Sequence, residues 1–409
     1  MFEGNANMLA KHFVSLFLFS TLVSACRPAS TTQLQPTAPR VVKITTTSTS
    51  ATPTDSLQNF ALEVAEKQDR LPSFNTSAWT HYRESKMSLI YPDPDLGPFE
   101  VFDIEEGPDG VMWFATSYGL VRFDGADWQL VTGLNWGRYV EITTDNTIWF
   151  TLDDGIYTYK NDETILMLDF EKYGLGYLKA IEISPSGDVW VVSDQEGIQI
   201  YNGATWESQT YPDDIPFSRV GGLAIDEHGR VYISGGNTPY TGGLAYYENR
   251  SWRVFDEKDI SAIFTSREHH FGVGDLTIDE EGHVWFYVWR QGLFKFADGE
   301  FEQVVEHDPE ILFAYHPDTM AIDQAGNVWL GNSWSGTQLV KYIQREDEFQ
   351  SIDGSYDFYI YLSEDAEHAA ARYAYERILP FENVSALYVT KDQILWVASE
   401  LGLYTFDLN

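Results

Sequence analysis

The chain has a single cysteine in 409 residues. That excludes an intrachain disulfide and any metal site built from several thiolates. Positive charge is also scarce: 26 Lys and Arg stand against 62 Asp and Glu, leaving a net charge of −36. A protein of that sign repels polyanions, so no nucleic-acid partner is expected. No phosphate-cradling Gly loop ending in Lys is present, and no other motif implies a cofactor or a resident metal. Past residue 25 no apolar run is long enough to cross a bilayer as a helix. What the chain has in excess is aromatic surface, 15% of residues with 13 Trp, within a 44% apolar composition that is ample for a large core.

Residues 1–25 carry Lys11 and His12, then an apolar stretch from Phe13 to Leu22 and small residues. This is the layout of a secretory signal. The tetrad Val23-Ser24-Ala25-Cys26 resembles the bacterial lipobox, and the chain's only Cys sits where that motif needs it. The resemblance implies lipidation of Cys26 and attachment to a membrane by acyl chains, with no spanning helix. It places the protein in a bacterial cell envelope, outside the cytoplasm. Residues 26–55 are mostly Ser, Thr and Pro and read as a solvated tether. Residues 56–78 predict a short helix with Leu57, Phe60, Ala61 and Val64 on one side, stopped at Pro72.

Residues 79–409 are a repeat. Val111-Met112-Trp113-Phe114 with Gly119-Leu120-Val121-Arg122-Phe123 recurs as Ile148-Trp149-Phe150-Thr151, Val189-Trp190-Val191-Val192 and Val231-Tyr232-Ile233-Ser234. It recurs again as Val284-Trp285-Phe286-Tyr287, Val328-Trp329-Leu330-Gly331 and Leu395-Trp396-Val397-Ala398. Each copy follows an alternating segment and a turn, in most copies a Gly turn, and most precede a segment opened by Trp. Four short strands, here called a to d, recurring at this spacing predict an all-β, seven-bladed propeller of antiparallel blades. The last copy ends just after strand c, whereas Trp79-Thr80-His81-Tyr82 is a strand d with no strands before it. The N-terminal strand is therefore expected to complete the last blade and remove the exposed edges.

The run Gly110-x-x-Trp113-Phe114-Ala115-Thr116-x-x-Gly119-Leu120-x-Arg122-Phe123-Asp124-Gly125-x-x-Trp128 resembles the two-component regulator propeller repeat. That family implies extracytoplasmic sensing or ligand binding on a propeller. No kinase, response regulator or DNA-binding pattern accompanies the repeats, so a built-in output is not expected. Streptogramin lyases resemble the chain more loosely, lacking the Gly-Leu-x-Arg-Phe-Asp-Gly tail. Their chemistry would require His269, His270 or His316 beside Asp194 or Glu400.

In a four-stranded meander the b–c loops and d–a connectors leave at one end, the a–b and c–d turns at the other. The insertions fall at the first end: Gly235 to Gly242 in blade 4, Asp256 to Phe271, and Asp353 to Asn383. The last includes a helix-like stretch, Glu364 to Arg377, with consecutive alanines. Variable loops on one end of a rigid scaffold are where binding is expected. Three Trp outside the strand pattern, Trp136, Trp289 and Trp334, lie there. With Tyr118, Arg138, Asp153, Asp154, Asp194, Glu196, Tyr240, His269, His270, Arg290, Asn332 and Glu400 they form the candidate ligand-binding set. Aromatic faces beside carboxylates and amides suit a sugar or a peptide. The expected activity is binding, without catalysis, of a small molecule, a glycan or a protein; a docking platform in an envelope complex is the protein-partner variant. The acidic excess reads as a solvated shell.

Overall fold

The computed structural model describes residues 79–82, 99–132, 136–176, 178–193, 197–212, 215, 217, 219–238, 241–255, 259, 272–288, 291–306, 317–332, 339–344, 348–351, 357–364, 367–374, 383–399 and 402–409. Seven four-stranded antiparallel sheets account for nearly all of them and form a seven-bladed β-propeller. The innermost strands are Val101–Glu106, Val140–Ile142, Leu178–Ile183, Val220–Ile225, Val273–Ile278, Thr319–Ile322 and Ala386–Val389. Each adjoins the next around the axis, and that of blade 7 adjoins that of blade 1. Across this junction Ser385 Oγ donates to the Val101 carbonyl at 2.6 Å, and the Lys391 amide donates to Glu106 at 2.9 Å. In the seventh sheet Trp79–Tyr82 runs antiparallel to Gly402–Asp407, with Trp79 opposite Phe406.

Strand b of each blade is sandwiched between neighbouring sheets, which is why both of its faces are apolar. Met112–Thr116, Ile148–Leu152, Val189–Ser193 and Val284–Val288 are buried at every position. All six strand-b Trp are buried. Each fills the gap between wedge-shaped sheets that aliphatic side chains would leave open.

The a–b turns explain a second part of the repeat. In all seven the fourth residue is left-handed: Gly110, Asn146, Gly187, Gly229, Gly282, Gly326 and Gln393. The first residue receives the amide four positions on, for example Ser184 Oγ from Asp188 N at 3.0 Å. Where it is Asp, the carboxylate reaches further. Asp279 accepts Trp285 Nε1 at 2.7 Å, and Asp323 accepts Trp329 Nε1 at 3.0 Å. Blade 1 has Gly107 at this position, and Trp113 Nε1 has no acceptor among the described residues.

Two expectations are corrected. The alanine-rich stretch beginning at Glu364 is strand and not helix: Asp357–Glu364 pairs with Glu367–Ala374 as a two-stranded hairpin. Phe358-Tyr359-Ile360-Tyr361 is strongly β-forming, and pairing against it overrides the helical preference of Ala369-Ala370-Ala371. Gly235 to Gly242 is not an open loop either, because Val231–Thr238 and Thr241–Glu248 extend their pairing to Thr238 opposite Thr241. The expected signal, tether and short helix, residues 1–78, lie outside the described residues.

Candidate ligand-binding mouth and axial channel

Two cavities adjoin at the end where b–c loops and d–a connectors emerge. The smaller, about 440 Å³, is walled by Trp136, Arg138 and Tyr139 from one connector, Leu152 and Asp153 from a b–c loop, and Phe170, Leu175 and Leu178 from the next connector. Its position is fixed by backbone bonds. Gly137 N donates to the Thr116 carbonyl at 2.8 Å. The amides of Arg138 and Tyr139 both donate to buried Thr151 Oγ1, at 3.2 and 3.1 Å. A Cβ on Gly137 would meet the Thr151 and Gly119 carbonyls at 3.2 and 3.4 Å, so a larger residue fits between the two b–c loops only if a neighbour gives by a few tenths of an ångström. On the far wall Phe170–Tyr173 makes one helical turn capped by Asp169, and Phe170 N donates to the Asp154 carbonyl at 3.0 Å.

The wall chemistry is amphipathic. Trp136 is 45% exposed yet stacks on Phe102 at 5.4 Å and 25°. The Arg138 guanidinium lies 5.7 Å from the same ring. Asp153 is exposed on the opposite wall. Asp154, also exposed, accepts the Tyr157 hydroxyl; burial together with this bond pushes that phenol up to about 12. An open aromatic face, a guanidinium and a carboxylate thus converge on one small cleft.

The larger cavity, about 880 Å³, is the axial channel, lined by the inner strands of all seven blades. Strand pairing sets its layers. Ile104, Val140, Ile181, Leu223, Leu276, Met320 and Leu387 hold equivalent positions opposite strand b. The following residue is Glu105, Glu141 and Glu182 on blades 1 to 3, but Ala224, Thr277 and Ala321 on blades 4 to 6. The preceding residue is Asp103 on blade 1 and Asp275 on blade 5. Asp103 accepts Ile104 N and, from the next blade, Val140 N, each at 2.9 Å.

Desolvation dominates the acidity of all five. It pushes Asp103 and Asp275 up to about 7, against the lowering effect of their backbone bonds. Glu182 is pushed up to about 8 by burial and by the charges of Asp103 and Asp275. Glu105 and Glu141 are raised well above the usual range by burial and then by the carboxylates around them. Each is half-buried in the channel wall, with its tip at the lumen.

Trp136, Arg138 and Asp153 of the expected set meet in the cleft, with Asp154 beside it. Tyr118 does not belong to it: it is 2% exposed and stacks on Phe99 at 5.9 Å, a packing role. Asn332 is buried, and its carbonyl accepts Val384 N at 2.9 Å. Asp194, Glu196, Tyr240, His269, His270, Trp289, Arg290, Trp334 and Glu400 lie outside the described residues. Sequence reasoning missed Phe170 and Leu175 of the cleft, Phe102 behind Trp136, and the five channel acids. The acids carried a signal, since three Glu share one strand-a position in successive repeats.

No family model and no curated protein matches the chain. Solved structures do match, at the level of fold. The extracellular domain of the proposed one-component system BT4673 from B. thetaiotaomicron superposes with a TM-score of 0.58 at 14% identity, over 81% of this chain and 40% of that one. The extracellular domain of the proposed hybrid two-component system BT3049 from the same organism gives 0.58 at 16%, over 81% and 41%. The chain therefore spans about two fifths of each of those extracellular domains. Virginiamycin B lyase from Staphylococcus aureus gives 0.55 at 11%, over 82% and 100%.

Proposed function

We propose that this is an extracytoplasmic binding propeller of the two-component regulator propeller type, held to a membrane through lipidated Cys26, which captures a carbohydrate, peptide or partner protein at its loop-bearing mouth. The observation that carries the reading is the cleft where exposed Trp136, Arg138 and Asp153 converge on a rigid frame. Packed on Phe102 by one face, the indole is still 45% exposed, and its open face offers a stacking platform to a sugar ring or an aromatic side chain. Arg138 and Asp153 supply opposite charges that orient a polar ligand across it. The fold-level likeness to extracellular domains of signalling systems supports an extracytoplasmic sensing role.

Glycan and peptide arrays probed with the chain from Asp55 onward test the reading. A hit lost in Trp136→Ala, with the melting temperature kept, supports it; hits indifferent to Trp136 overturn the assignment of the site. Cys26→Ser should move the protein from the membrane to the soluble fraction, and retention on membranes overturns the anchor. A lyase is the competing reading, favoured by full-length fold similarity to virginiamycin B lyase. Incubation with virginiamycin B that leaves the antibiotic intact refutes it.

A further inference from the structure

The outer edge of blade 2 departs from the pattern of the other six blades. In those six, the strand-d residue opposite the last aromatic of strand c is itself Trp or Phe, as in Trp128 opposite Phe123 and Trp206 opposite Tyr201. That ring closes the outer seam between blades. Trp206 lies 5.3 Å from Tyr201 and 6.3 Å from Trp149 of blade 2, and its Nε1 donates to the Met167 carbonyl at 2.9 Å. In blade 2 the residue opposite Tyr159 is Thr164, which has no ring to offer the preceding blade. Its strand d, Glu163–Asp169, exposes its first four residues, with Ile165 at 54% and Leu166 at 47%. Together with Trp136 and Tyr173 these are the large apolar side chains exposed among the described residues, and all belong to blade 2 and its two connectors.

The same edge carries free backbone groups. Asn161 and Asp162 are both left-handed, at φ 51° and 63°, a two-residue hairpin turn that makes Lys160 and Glu163 a hydrogen-bonded pair. Bonded and unbonded pairs alternate from there. Thr164 opposite Tyr159 and Leu166 opposite Tyr157 therefore aim their N–H and C=O away from strand c. Among the described residues no strand lies beyond this one, and neither residue has another backbone partner. Natural sheets blunt such edges with charged or polar side chains. The adjacent blades do so, exposing Gln129 in blade 1 and Glu207 and Ser208 in blade 3, whereas blade 2 presents Ile165 and Leu166. The surrounding charge selects the sign of an added strand. Asp162, Glu163 and Glu171 are exposed, while Lys160 is held by Asp145 at 2.6 Å and Lys172 lies over the Tyr173 ring at 5.3 Å. A second copy of a chain carrying a net charge of −36 is repelled from such an edge.

We propose that the outer edge of blade 2 is a docking site for an extended, cationic segment of a partner protein, which adds as a fifth strand along residues 164–166 and lays an aromatic side chain over Thr164, where the other blades supply a ring of their own. Backbone bonds to Thr164 and Leu166 set the register of the segment. Ile165 and Leu166 point to opposite faces of the strand and give it apolar contacts on both. Its Lys or Arg side chains meet the acids near the turn and after the strand. This surface shares no lining residue with the cleft at Trp136 and does not depend on the function proposed for that cleft.

A displayed library of random dodecapeptides, panned on the full chain, is the probe. Selected sequences should combine an aromatic residue with several Lys or Arg. Hydrogen exchange should find the amides of Thr164 and Leu166 fast in the free protein and protected in the complex. Leu166→Pro removes the outward N–H and leaves the bonds to strand c in place. Peptide affinity by fluorescence anisotropy should then fall about tenfold or more, with the melting temperature kept. Leu166→Lys, at an exposed position that disturbs no core, should weaken binding of the cationic peptide as well and keeps the test open if the proline variant misfolds. No enriched peptide, an acidic consensus, or binding indifferent to the Leu166 variants overturns the proposal. So does binding that falls with Trp136→Ala, which would put the peptide in the mouth cleft. Dimerisation that depends on Leu166 in sedimentation overturns it too, since the occupant would then be a second copy.

Discussion

Replacing Glu182 by Gln should stabilise the protein, and only at neutral to alkaline pH. The folded chain holds this carboxyl at about 8, against an ordinary value of 4.5, because burial and the charges of Asp103 and Asp275 oppose its ionisation. Below pH 4.5 the group is protonated in both folded and unfolded chains and contributes no pH dependence. Between 4.5 and about 8 the unfolded chain releases the proton while the folded chain keeps it, so stability falls as pH rises, and it levels off above 8. At about 1.36 kcal/mol per pH unit, the ceiling is about 5 kcal/mol. The carboxyl tip reaches the wet lumen and shares its repulsion with two neighbours that can hold protons in its place, so roughly 1–2 kcal/mol is the expected gain. For a ring of this size that is a rise of roughly 2–4 °C in melting temperature. Urea unfolding followed by Trp fluorescence at pH 4.5, 6, 7.5 and 9 should show E182Q level with the parent at the acid end and pulling ahead above pH 6. An E182Q protein that is less stable at pH 9, or equally advantaged at pH 4.5, refutes the account of the channel.

The remaining predictions concern the ring. Tyr82 stacks on Trp396 at 5.4 Å and meets Trp128 edge-on at 5.7 Å, so Tyr82→Ala should cost roughly 2–4 kcal/mol; an unaltered melt would deny the N-terminal strand a part in holding the ring. Asp323 accepts from Ala325 N, Asn327 N, Asn327 Nδ2 and Trp329 Nε1. Asp323→Ala should therefore cost roughly 3 kcal/mol in denaturant unfolding, and a loss below 1 would show the turn to be indifferent to it. Trp329→Phe should lose about 1–2 kcal/mol more than Trp113→Phe, because only Trp329 has an acceptor for its indole N–H. Equal losses would refute that role for the turn aspartate.

Blade number and strand order were legible because strand b repeats a buried Trp and strand c a Gly-Leu pair, signals set by close packing. The end at which the b–c loops and d–a connectors emerge was legible from topology alone, and Trp136 stood out because it fits no position of the repeat. Other features hid for physical reasons. Tyr118 resembles a mouth aromatic in sequence, yet its ring turns inward onto Phe99, a choice made by a neighbour 19 positions away. The alanines after Glu367 suggest helix until the aromatic strand that pairs with them is considered. Phe170 and Leu175 reach the cleft from a connector with no repeat signature. The channel acids were overlooked because −36 of net charge invites reading every carboxylate as solvent-facing.

Position within strand a separates these acids from the rest. Inter-blade packing governs alternate residues such as Ile104 and Leu276, and steric closeness governs Gly222, where a Cβ would lie 2.7 Å from Leu276 N. The lumen-facing positions between them obey neither constraint, and small side chains fill them on blades 4 to 6. Acids placed there on blades 1 to 3 and 5 oppose folding at neutral pH, by the sign worked out for Glu182. Asp103 recovers part of that cost by joining blade 1 to blade 2 through Val140 N, and Asp275 does the same through Met320. Glu141 and Glu182 recover none of it through hydrogen bonds among the described residues. Asp103→Asn should accordingly lower stability, while Glu141→Gln, which removes a carboxyl held well above its ordinary range by burial and by neighbouring carboxylates, should raise it at alkaline pH in urea unfolding.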